Sequence, residues 1–514
     1  MSSNITLSWW LAIVPEISLT VLLFIVLLYH RFVKPEDKRQ IGILTAWGAF
    51  VTLLITLGLW LFFSEPGVEP MLIWGGMIRH DLVTLVFRVM FLVALMITSL
   101  VSVEVERLQS SEYYGLLVAA TIGFSLMAAG ADLIMIYLAL ETASISSYIL
   151  AGFYTQNARS SEAGMKYFVY GAFATGIMLY GMSLIYGLTT QTNLAAIASV
   201  LAGQTSALTG TAAPLVTAVT LDGGAGLSTA SNAALLLAAA MIVVGFGYKI
   251  SAVPFHFWTP DVYDGSPTAF TGFLSTASKA AGFAIFIRVF SAGVLGDPSS
   301  SIWWGMLVAI CIVSMALGNF VAIFQTNIKR LLAYSSIAQA GYAMIGLVTF
   351  SQSGSGATMF YLLMYIFTNI AAFGVIILVS NVTGSEELED FSGLSRRSPY
   401  LALAMMLAIL SLGGIPPTAG FLGKFFLFKA AVDAGLWWLA LTGIILAFVA
   451  LYYYLSIIKY MYLYRSDDED KAIPVSRAAQ VGLGFSVFFI ILLGIYAGPA
   501  IDWTNQAAAA FFAG

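Results

Sequence analysis

The sequence predicts an all-α, polytopic membrane protein with about fourteen transmembrane helices. Of its 514 residues, 60% are hydrophobic and only 9% are charged, which is too apolar a composition for a soluble chain of this length. Apolar windows of roughly twenty residues, the length that crosses a bilayer as a helix, recur along the whole chain. Two of these windows contain prolines that would break a helix.

The predicted spans can be taken in order from the N-terminus. The chain begins with neither a basic region nor a small-residue cleavage site, so we expect the first apolar run to be kept as a helix. The windows lie at 8–29, 41–63, 82–103, 114–130, 132–153, 163–187, 234–258, 267–292, 302–325, 331–350, 358–382, 399–432, 436–463 and 476–499.

Lysine and arginine are distributed unequally between the two sides of these helices. If the N-terminus faces out, Arg79 is the one basic residue of the outer loops. Because Lys and Arg accumulate in cytoplasmic loops, the bias places both termini on the outer, periplasmic side of a bacterial inner membrane. The inner loops then carry Arg31, Lys34, Lys38, Arg39, Arg107, Arg159, Lys329, Arg330, Arg396, Arg397, Arg465, Lys471 and Arg477.

The two proline interruptions suggest an internal repeat. Pro254 lies in the seventh span and Pro416 in the twelfth, an offset of five spans. An odd number of spans would give two five-helix units of opposite orientation, as in transporters with inverted repeats. The long connection 188–233 is rich in Ala, Thr, Gly and Ser and is expected to be a loosely held outer loop. The predicted divisions are 1–113 (helices 1–3), 114–292 (helices 4–8), 293–463 (helices 9–13) and 464–514 (helix 14).

Composition also limits the chemistry of the chain. Cys311 is the single cysteine, which excludes an internal disulfide and any cysteine-ligated iron–sulfur or zinc site. No basic run is long enough to bind nucleic acid. No Gly-rich nucleotide-binding loop is present. We therefore expect no cofactor and no metal in this chain, with the lipid membrane as its surroundings.

Ionisable residues inside the apolar spans are the strongest functional signal, because a charge in hydrocarbon requires a partner or a polar cavity. Glu141 lies near the middle of the fifth span. It can be a neutral carboxyl bonded to a nearby Ser or Tyr, or the counter-ion of a lysine on an adjacent helix. Lys249 lies five residues before Pro254, which cannot donate to the carbonyl of Ile250 and so opens the helix close to the ammonium.

His256 and Lys279 follow the same proline break. His256 lies about two turns after Lys249, on nearly the same face, and is either a structural histidine or a proton carrier. Lys279 is central in the eighth span, about 18 Å from either end by helix rise, which is too deep for its ammonium to reach the membrane surface. We therefore expect Lys279 to face a polar interior.

Other charged residues divide into two groups. Lys424 follows Pro416 by eight residues in a second broken helix, and a functional role is favoured. Lys166 follows Glu162 by one turn and is a candidate inner neighbour of Glu141 and Lys249. The remaining basic residues near span ends are expected to anchor the helices or to extend toward the membrane surface; they include Arg288, Lys429 and Lys459.

Several long motifs resemble one protein family, the antiporter-like membrane subunits of complex I and of multisubunit cation/proton antiporters. The similarity covers essentially the whole chain and is greatest to the subunit N type of bacterial NADH-quinone oxidoreductases. The matching stretches are ALETASISSYIL around Glu141, EAGMKYFVYGA around Lys166, the run from Gly247 to Lys279, QTNIKRLLAYSSIAQAGY from Gln325, and LSLGGIPPTAGFLGKFFLF from Leu410.

The resemblance implies a role in proton transfer for each candidate residue. It implies that Glu141 and Lys249 form an ion pair and that His256 links Lys249 to a central axis. Lys279 and Lys424 would be the lysines of the eighth span and of the broken twelfth span. The implied activity is redox-driven proton pumping. Flavin mononucleotide, iron–sulfur clusters and quinone would be bound by partner subunits, namely other membrane subunits and, through them, a peripheral redox arm.

Three questions remain open at this stage. A subunit of a multisubunit Na⁺/proton antiporter would carry similar motifs. A structural subunit could retain the buried charges only to hold its helices together. The electron donor, the quinone and the sides of proton uptake and release are not determined by these residues.

Overall fold

The structure is a computed structural model and describes residues 7–34, 37–63, 71–201, 229–290, 302–465 and 472–513. Within these ranges the chain is almost entirely helical, and the one sheet is a short antiparallel hairpin. The hairpin leads directly into a long helix whose N-terminus is capped by Asp81, which accepts a hydrogen bond from the Thr84 amide.

The first part of the chain contains the hairpin and the N-terminal helices. The hairpin strands are β1 (Met71–Ile73) and β2 (Ile78–His80). The helices are α1 (Leu7–Ala12), α2 (Val14–Tyr29), α3 (Arg39–Phe63), α4 (Leu82–Ser102), α5 (Ser111–Ala129), α6 (Leu133–Ala151), α7 (Ala158–Thr189) and α8 (Leu194–Leu201).

The remaining helices contain both proline breaks. They are α9 (Thr229–Ile250), α10 (Trp258–Gly265), α11 (Thr268–Phe273), α12 (Lys279–Phe290), α13 (Ile302–Ala322), α14 (Ile328–Leu347), α15 (Gln352–Thr383), α16 (Leu394–Arg397), α17 (Pro399–Gly413), α18 (Ala419–Asp433), α19 (Trp437–Leu463), α20 (Arg477–Ile495) and α21 (Gly498–Ala513). A π-helical turn, Leu274–Ser278, joins α11 to α12.

The predicted fold class is confirmed. Each of the fourteen predicted spans contains helix within the described residues, and eleven helices are long and apolar enough to cross a membrane. The seventh predicted span is divided between α9 and α10, and the twelfth between α17 and α18. The prediction of a loose connection at 188–233 is wrong for its first part, because α8 is packed there with Ile197 fully buried. Residues 202–228 of that connection lie outside the described residues.

Two pairs of equivalent contacts reveal the internal repeat. Gly123 of α5 packs against Ala143 of α6, and Gly318, 195 residues later, packs against Ala338 in the same way. Asp132 forms an isolated β-bridge to Asn193, and Asn327, also 195 residues later, forms one to Glu387. In both halves this bridge joins the start of one helix to the residues after a 32-residue helix, α7 or α15.

The interior of the protein is formed by α4, by α11 with α12, and by α15. The apolar windows of the α11–α12 segment and of α15 are buried along their full length, and that of α4 is 94% buried. Side chains on these helices are therefore removed from lipid as well as from water. Any charge they carry must be satisfied by the protein itself.

Candidate functional site

The break after α9 places Lys249 at the end of a helix. Ser251 follows with a φ of 64°, in the left-handed region, and the Val253 amide donates to the hydroxyl of Ser314 at 2.9 Å. Pro254 cannot donate to the carbonyl of Ile250, which is why regular helix ends at that residue. The break is thus held by a neighbouring helix as well as by its own sequence.

Lys249 is 2% exposed and contacts a polar face of α6. Its Nζ donates to the hydroxyl of Ser144 at 3.2 Å and lies 5.5 Å from the ring centre of Phe124. Glu141 lies one turn before Ser144 on α6, so the two side chains project from the same side of that helix. No N···O distance between Glu141 and Lys249 is within 4.0 Å, and Glu141 Oε1 accepts no hydrogen bond from a described residue. The implied ion pair is therefore open in this structure, with Ser144 in contact with the lysine.

Lys279 lies at the centre of the buried interior, as predicted. It is 2% exposed and begins α12 directly after the π-helical turn. Its Nζ donates to the backbone carbonyl of Ser336 on α14. The hydroxyl of Ser336 is in turn hydrogen bonded to Tyr263 at 3.2 Å. A Cβ added at Gly282, three residues after Lys279, would lie 3.4 Å from Cγ of Lys249, so the lysine side chain runs beside this glycine.

Lys424 occupies the second broken helix and compensates for its break. Pro416 and Pro417 cannot donate to the carbonyls four residues earlier, Leu412 and Gly413. The Nζ of Lys424 donates to these two carbonyls at 2.8 and 3.2 Å and lies 4.7 Å from the ring centre of Tyr342. Gly414 has a φ of +81°, and a Cβ there would lie 3.0 Å from the Cδ of Lys424. The two prolines therefore leave carbonyls free to accept from Lys424, and the glycine at 414 leaves space for its side chain.

A hydrogen-bonded array runs from Lys424 to Ser335 on α14 and ends one residue before Ser336, whose carbonyl accepts from Lys279. Gln339, 3% exposed, donates from Nε2 to the carbonyl of Leu412 at 3.1 Å and to the hydroxyl of Tyr454 at 3.0 Å, and its Oε1 accepts from Tyr361. Tyr454 is hydrogen bonded to Ser335, next to the Ser336 carbonyl that Lys279 contacts. The carbonyl of Leu412 is shared by Gln339 and Lys424.

His256 and Lys166 are placed differently from the expectation. His256 is buried in the first break against Phe257, with Nδ1 unbonded within the described residues and no hydrogen bond to a lysine. Lys166 is partly exposed and forms ion pairs with Glu162 at 2.8 Å and with Asp261 at 2.6 Å. It therefore belongs to a partly exposed, charged rim of the protein rather than to the contact between Glu141 and Lys249.

Asp261 joins the two halves of the chain at that rim. Its second oxygen accepts from Arg330 of α14 at 2.9 Å, and both pairs line a polar cavity of about 480 Å³. Burial alone would raise the pKa of the Asp261 carboxyl, but hydrogen bonds and charges from Lys166 and Arg330 outweigh it and lower the pKa.

A second charged cluster was not recognised in the sequence. Arg88 of α4 is ion-paired with Glu16 at 2.7 Å, and Arg288 of α12 donates to Asp81 at 2.6 Å. Arg288 is 2% exposed, so the expectation that it extends to the membrane surface is wrong. Arginines 88 and 288 pair with carboxylates far away in sequence. The available signal was the presence of Glu16 and Arg88, of opposite charge, inside two apolar spans.

No group of three or more His, Cys, Asp or Glu side chains in the described ranges is placed to hold a metal ion. The buried groups around the two broken helices are lysine amines, serine and tyrosine hydroxyls and the carboxyl of Glu141. Such groups can accept, hold and pass protons.

The fold and the site together define a class: a polytopic membrane protein of the antiporter-like type, with two proline-broken helices around buried lysines. The sequence model of the family described as "NADH:quinone oxidoreductase/Mrp antiporter, TM" matches residues 130–450. The NADH-quinone oxidoreductase subunit N of Moorella thermoacetica is 44% identical over 483 residues, which is 93% of this chain and 94% of that protein. The chain therefore belongs to this family.

Solved structures agree with this assignment. A chain of respiratory complex I from Thermus thermophilus matches with a TM-score of 0.74 and 30% identity, covering 95% of this chain and 98% of that one. A chain of the Mrp complex from Dietzia sp. DQ12-45-1b matches with a TM-score of 0.77 at 20% identity, covering 99% and 98% of the two chains. The second likeness shows a shared fold.

Proposed function

We propose that this chain is the proton-translocating membrane subunit of a respiratory NADH-quinone oxidoreductase. The observation that carries the proposal is the array of Gln339 and its tyrosine partners, which shares the Leu412 carbonyl with Lys424 and ends at Ser335, next in the chain to the residue that Lys279 contacts. The 44% identity to a subunit N supports placement in a redox complex rather than an isolated carrier. Flavin mononucleotide, iron–sulfur clusters and quinone would then be held by partner subunits.

The first step of transfer depends on Glu141 and Lys249. Two unit charges 4 Å apart interact by about 4 kcal/mol at an effective dielectric of 20. In the observed geometry Ser144 and not Glu141 is in contact with Lys249, so transfer would require Glu141 to approach the lysine and then to withdraw. Approach of the carboxylate stabilises the ammonium, and withdrawal removes that stabilisation. A movement of one side chain therefore suffices to load or unload the site.

The later steps of transfer would use the buried lysines Lys279 and Lys424. Protons would pass from Lys249 to Lys279, whose helix α12 packs against α9, and then along α14 to Lys424. Hydroxyls such as that of Tyr454 can both accept and donate a proton. Gln339 cannot hold a proton, so it would orient the shared Leu412 carbonyl and keep Lys424 aligned with Tyr454.

Proton uptake is assigned to the inner side of the first half. The polar cavity that contains Lys166, Asp261 and Arg330 lies near the N-terminal ends of α7 and α14, which the Lys/Arg bias assigns to the cytoplasmic side. His256, buried in the adjoining break with a free ring nitrogen, would relay protons between this side and the lysines. Release would occur on the outer side near Lys424. This assignment requires both termini on the periplasmic side, as the Lys/Arg bias predicts.

Extraction of the chain from its native membrane in mild detergent tests the proposal. We expect flavin absorbance and iron–sulfur EPR signals to co-purify with it, and an NADH-driven proton gradient after reconstitution into liposomes. Co-purification with small membrane chains alone, together with Na⁺-dependent proton exchange, would instead establish a cation/proton antiporter. The fold shared with an Mrp complex chain makes that outcome the appropriate alternative.

A further inference from the structure

A groove on the membrane-facing surface lies outside the proton path. α3 and α20 each pack along α4 but make no extended contact with each other, so α4 forms the floor between them. The resulting cavity has a volume of about 420 Å³ and almost purely apolar walls. Ile43, Phe50, Met96 and Phe485 are among the side chains that line it. Trp47 and Val481, at its rim, are 61% and 62% exposed.

The groove extends over only one side of the membrane. It begins at the first turns of α3 and α20 and reaches Phe50 on α3, seven residues after Ile43, or about 10 Å by helix rise. The hydrocarbon of one leaflet is about 15 Å deep, half of the bilayer core. A transmembrane helix from a partner would need a groove of the full depth. The dimensions therefore suit the acyl chain of a lipid in one leaflet.

Positive charge marks the inner end of the groove. Arg477, the first residue of α20, lines the cavity, and Arg39, the first residue of α3, lies one turn before Ile43. Among the described residues neither arginine forms an ion pair. The carboxylate of Glu104 lies at the same end but accepts from the backbone amide of Ser476. A free guanidinium is thus left beside an apolar cavity, on the side that the Lys/Arg bias assigns to the cytoplasm.

We propose that this groove binds one anionic phospholipid of the cytoplasmic leaflet. An acyl chain lies between α3 and α20, and the phosphate is held at Arg477. Apolar walls and a cationic end match the two parts of such a lipid, and basic pockets between helices on the cytoplasmic side are typical headgroup sites. Trp47 at the rim would further hold the lipid at the membrane interface.

Photolabelling of the assembled complex tests this proposal. A phosphatidylglycerol with a photoreactive acyl chain is added to the complex in nanodiscs, and labelled peptides are identified by mass spectrometry. We expect adducts within 43–50 and 477–485, and roughly fivefold fewer after Arg477→Gln, because one basic contact is lost. Arg31→Gln, an exposed arginine at the same membrane side that does not line the groove, is the matched control and should leave labelling unchanged.

A second pair of variants separates groove occupancy from headgroup binding. Val481→Trp fills the groove from an exposed position and should abolish the adducts, whereas Phe488→Trp, farther along α20 and outside the groove, should not. Equal labelling by a phosphatidylcholine probe would overturn the anionic preference. A disulfide between Val481→Cys and a partner subunit in the native complex would show a protein interface and would overturn the proposal entirely.

Discussion

The lysines of the two proline-broken helices have different kinds of partner. Lys249 precedes its break and contacts the hydroxyl of Ser144 on another helix. Glu141 lies one turn before Ser144 on that helix. Lys424 follows its break and donates to two carbonyls of the preceding segment of the same broken helix. The first lysine thus has a partner that can move, and the second has dipoles fixed by the backbone.

This difference shows how a proline-broken helix with a buried lysine can serve two different steps of proton transfer. A movable carboxylate suits a site that must switch between holding and releasing a proton, because its distance sets the coupling energy. Fixed carbonyls suit a site that receives protons from a constant direction, since they cost no reorganisation. We therefore regard Lys249 as the controlled site and Lys424 as the terminal one. The predictions below test that distinction, beginning with the largest effect.

Replacing Lys424 by Met should abolish proton translocation and also destabilise the second break. The carbonyl of Gly413 would lose the donor found in the structure, and Leu412 would retain only Gln339. An unsatisfied buried carbonyl costs about 1–3 kcal/mol. Proton pumping and thermal unfolding of the purified complex measure the two effects. Lys459→Met, on an exposed side chain, is the control; normal pumping by Lys424→Met would contradict a terminal role.

Replacing Glu141 by Gln should slow proton transfer at least tenfold without affecting stability at the second break. The amide keeps the size of the side chain but removes the charge that acts on Lys249. Loss of about 1.4 kcal/mol of coupling corresponds to a tenfold rate change. Pumping rates at saturating substrate provide the measurement. If Glu141→Gln pumps at the normal rate, the movable partner of Lys249 is not this carboxyl.

Replacing Tyr361 by Phe should reduce pumping by roughly fivefold, the equivalent of one lost hydrogen bond of about 1 kcal/mol. Tyr361 donates to Gln339, and without it the amide is free to rotate away from the Leu412 carbonyl. Tyr113→Phe provides a matched control, because Tyr113 is equally buried and its hydroxyl is hydrogen bonded to Ser102, away from the array. Equal losses in both variants would indicate general packing rather than alignment of the array.

Replacing Asp261 by Asn should have the smallest effect and a defined pH dependence. The pKa of this carboxyl is lowered by Lys166 and Arg330, so its stabilising contribution is complete above the unfolded value of about 3.9 and is lost as pH falls through the lower folded value. The difference in melting temperature between the native chain and Asp261→Asn should be constant from pH 8 to pH 5 and shrink below about pH 4. A difference that instead disappears between pH 8 and pH 6 would rule out this ion pair as its source.

Much of the fold was predictable because long apolar runs and prolines are local signals. The fourteen spans and both breaks follow from windows of hydropathy and from Pro254 and Pro416. The buried positions of Lys249, Lys279 and Lys424 were predictable for the same reason: each lies within an apolar run. Their roles in proton transfer stay predictions.

The partners of these residues were not predictable from local pattern. Arg288 and Asp81 are 207 positions apart in sequence, and Gln339 reaches the Leu412 carbonyl across 73 positions. Such contacts depend on how helices pack, which a single sequence does not specify. Gln339 carries no charge, so an analysis based on ionisable groups passes over it. The open distance between Glu141 and Lys249 likewise depends on the side-chain geometry of two packed helices.

The central claim is tested most directly by the ratio of protons moved to electrons transferred in the complex that carries Lys249→Ala. The complex is reconstituted into liposomes, and NADH oxidation and internal acidification are recorded together. We expect normal assembly, continued electron transfer and a reduced proton-to-electron ratio. An unchanged ratio with full electron transfer would contradict the account, because the controlled site would then be dispensable.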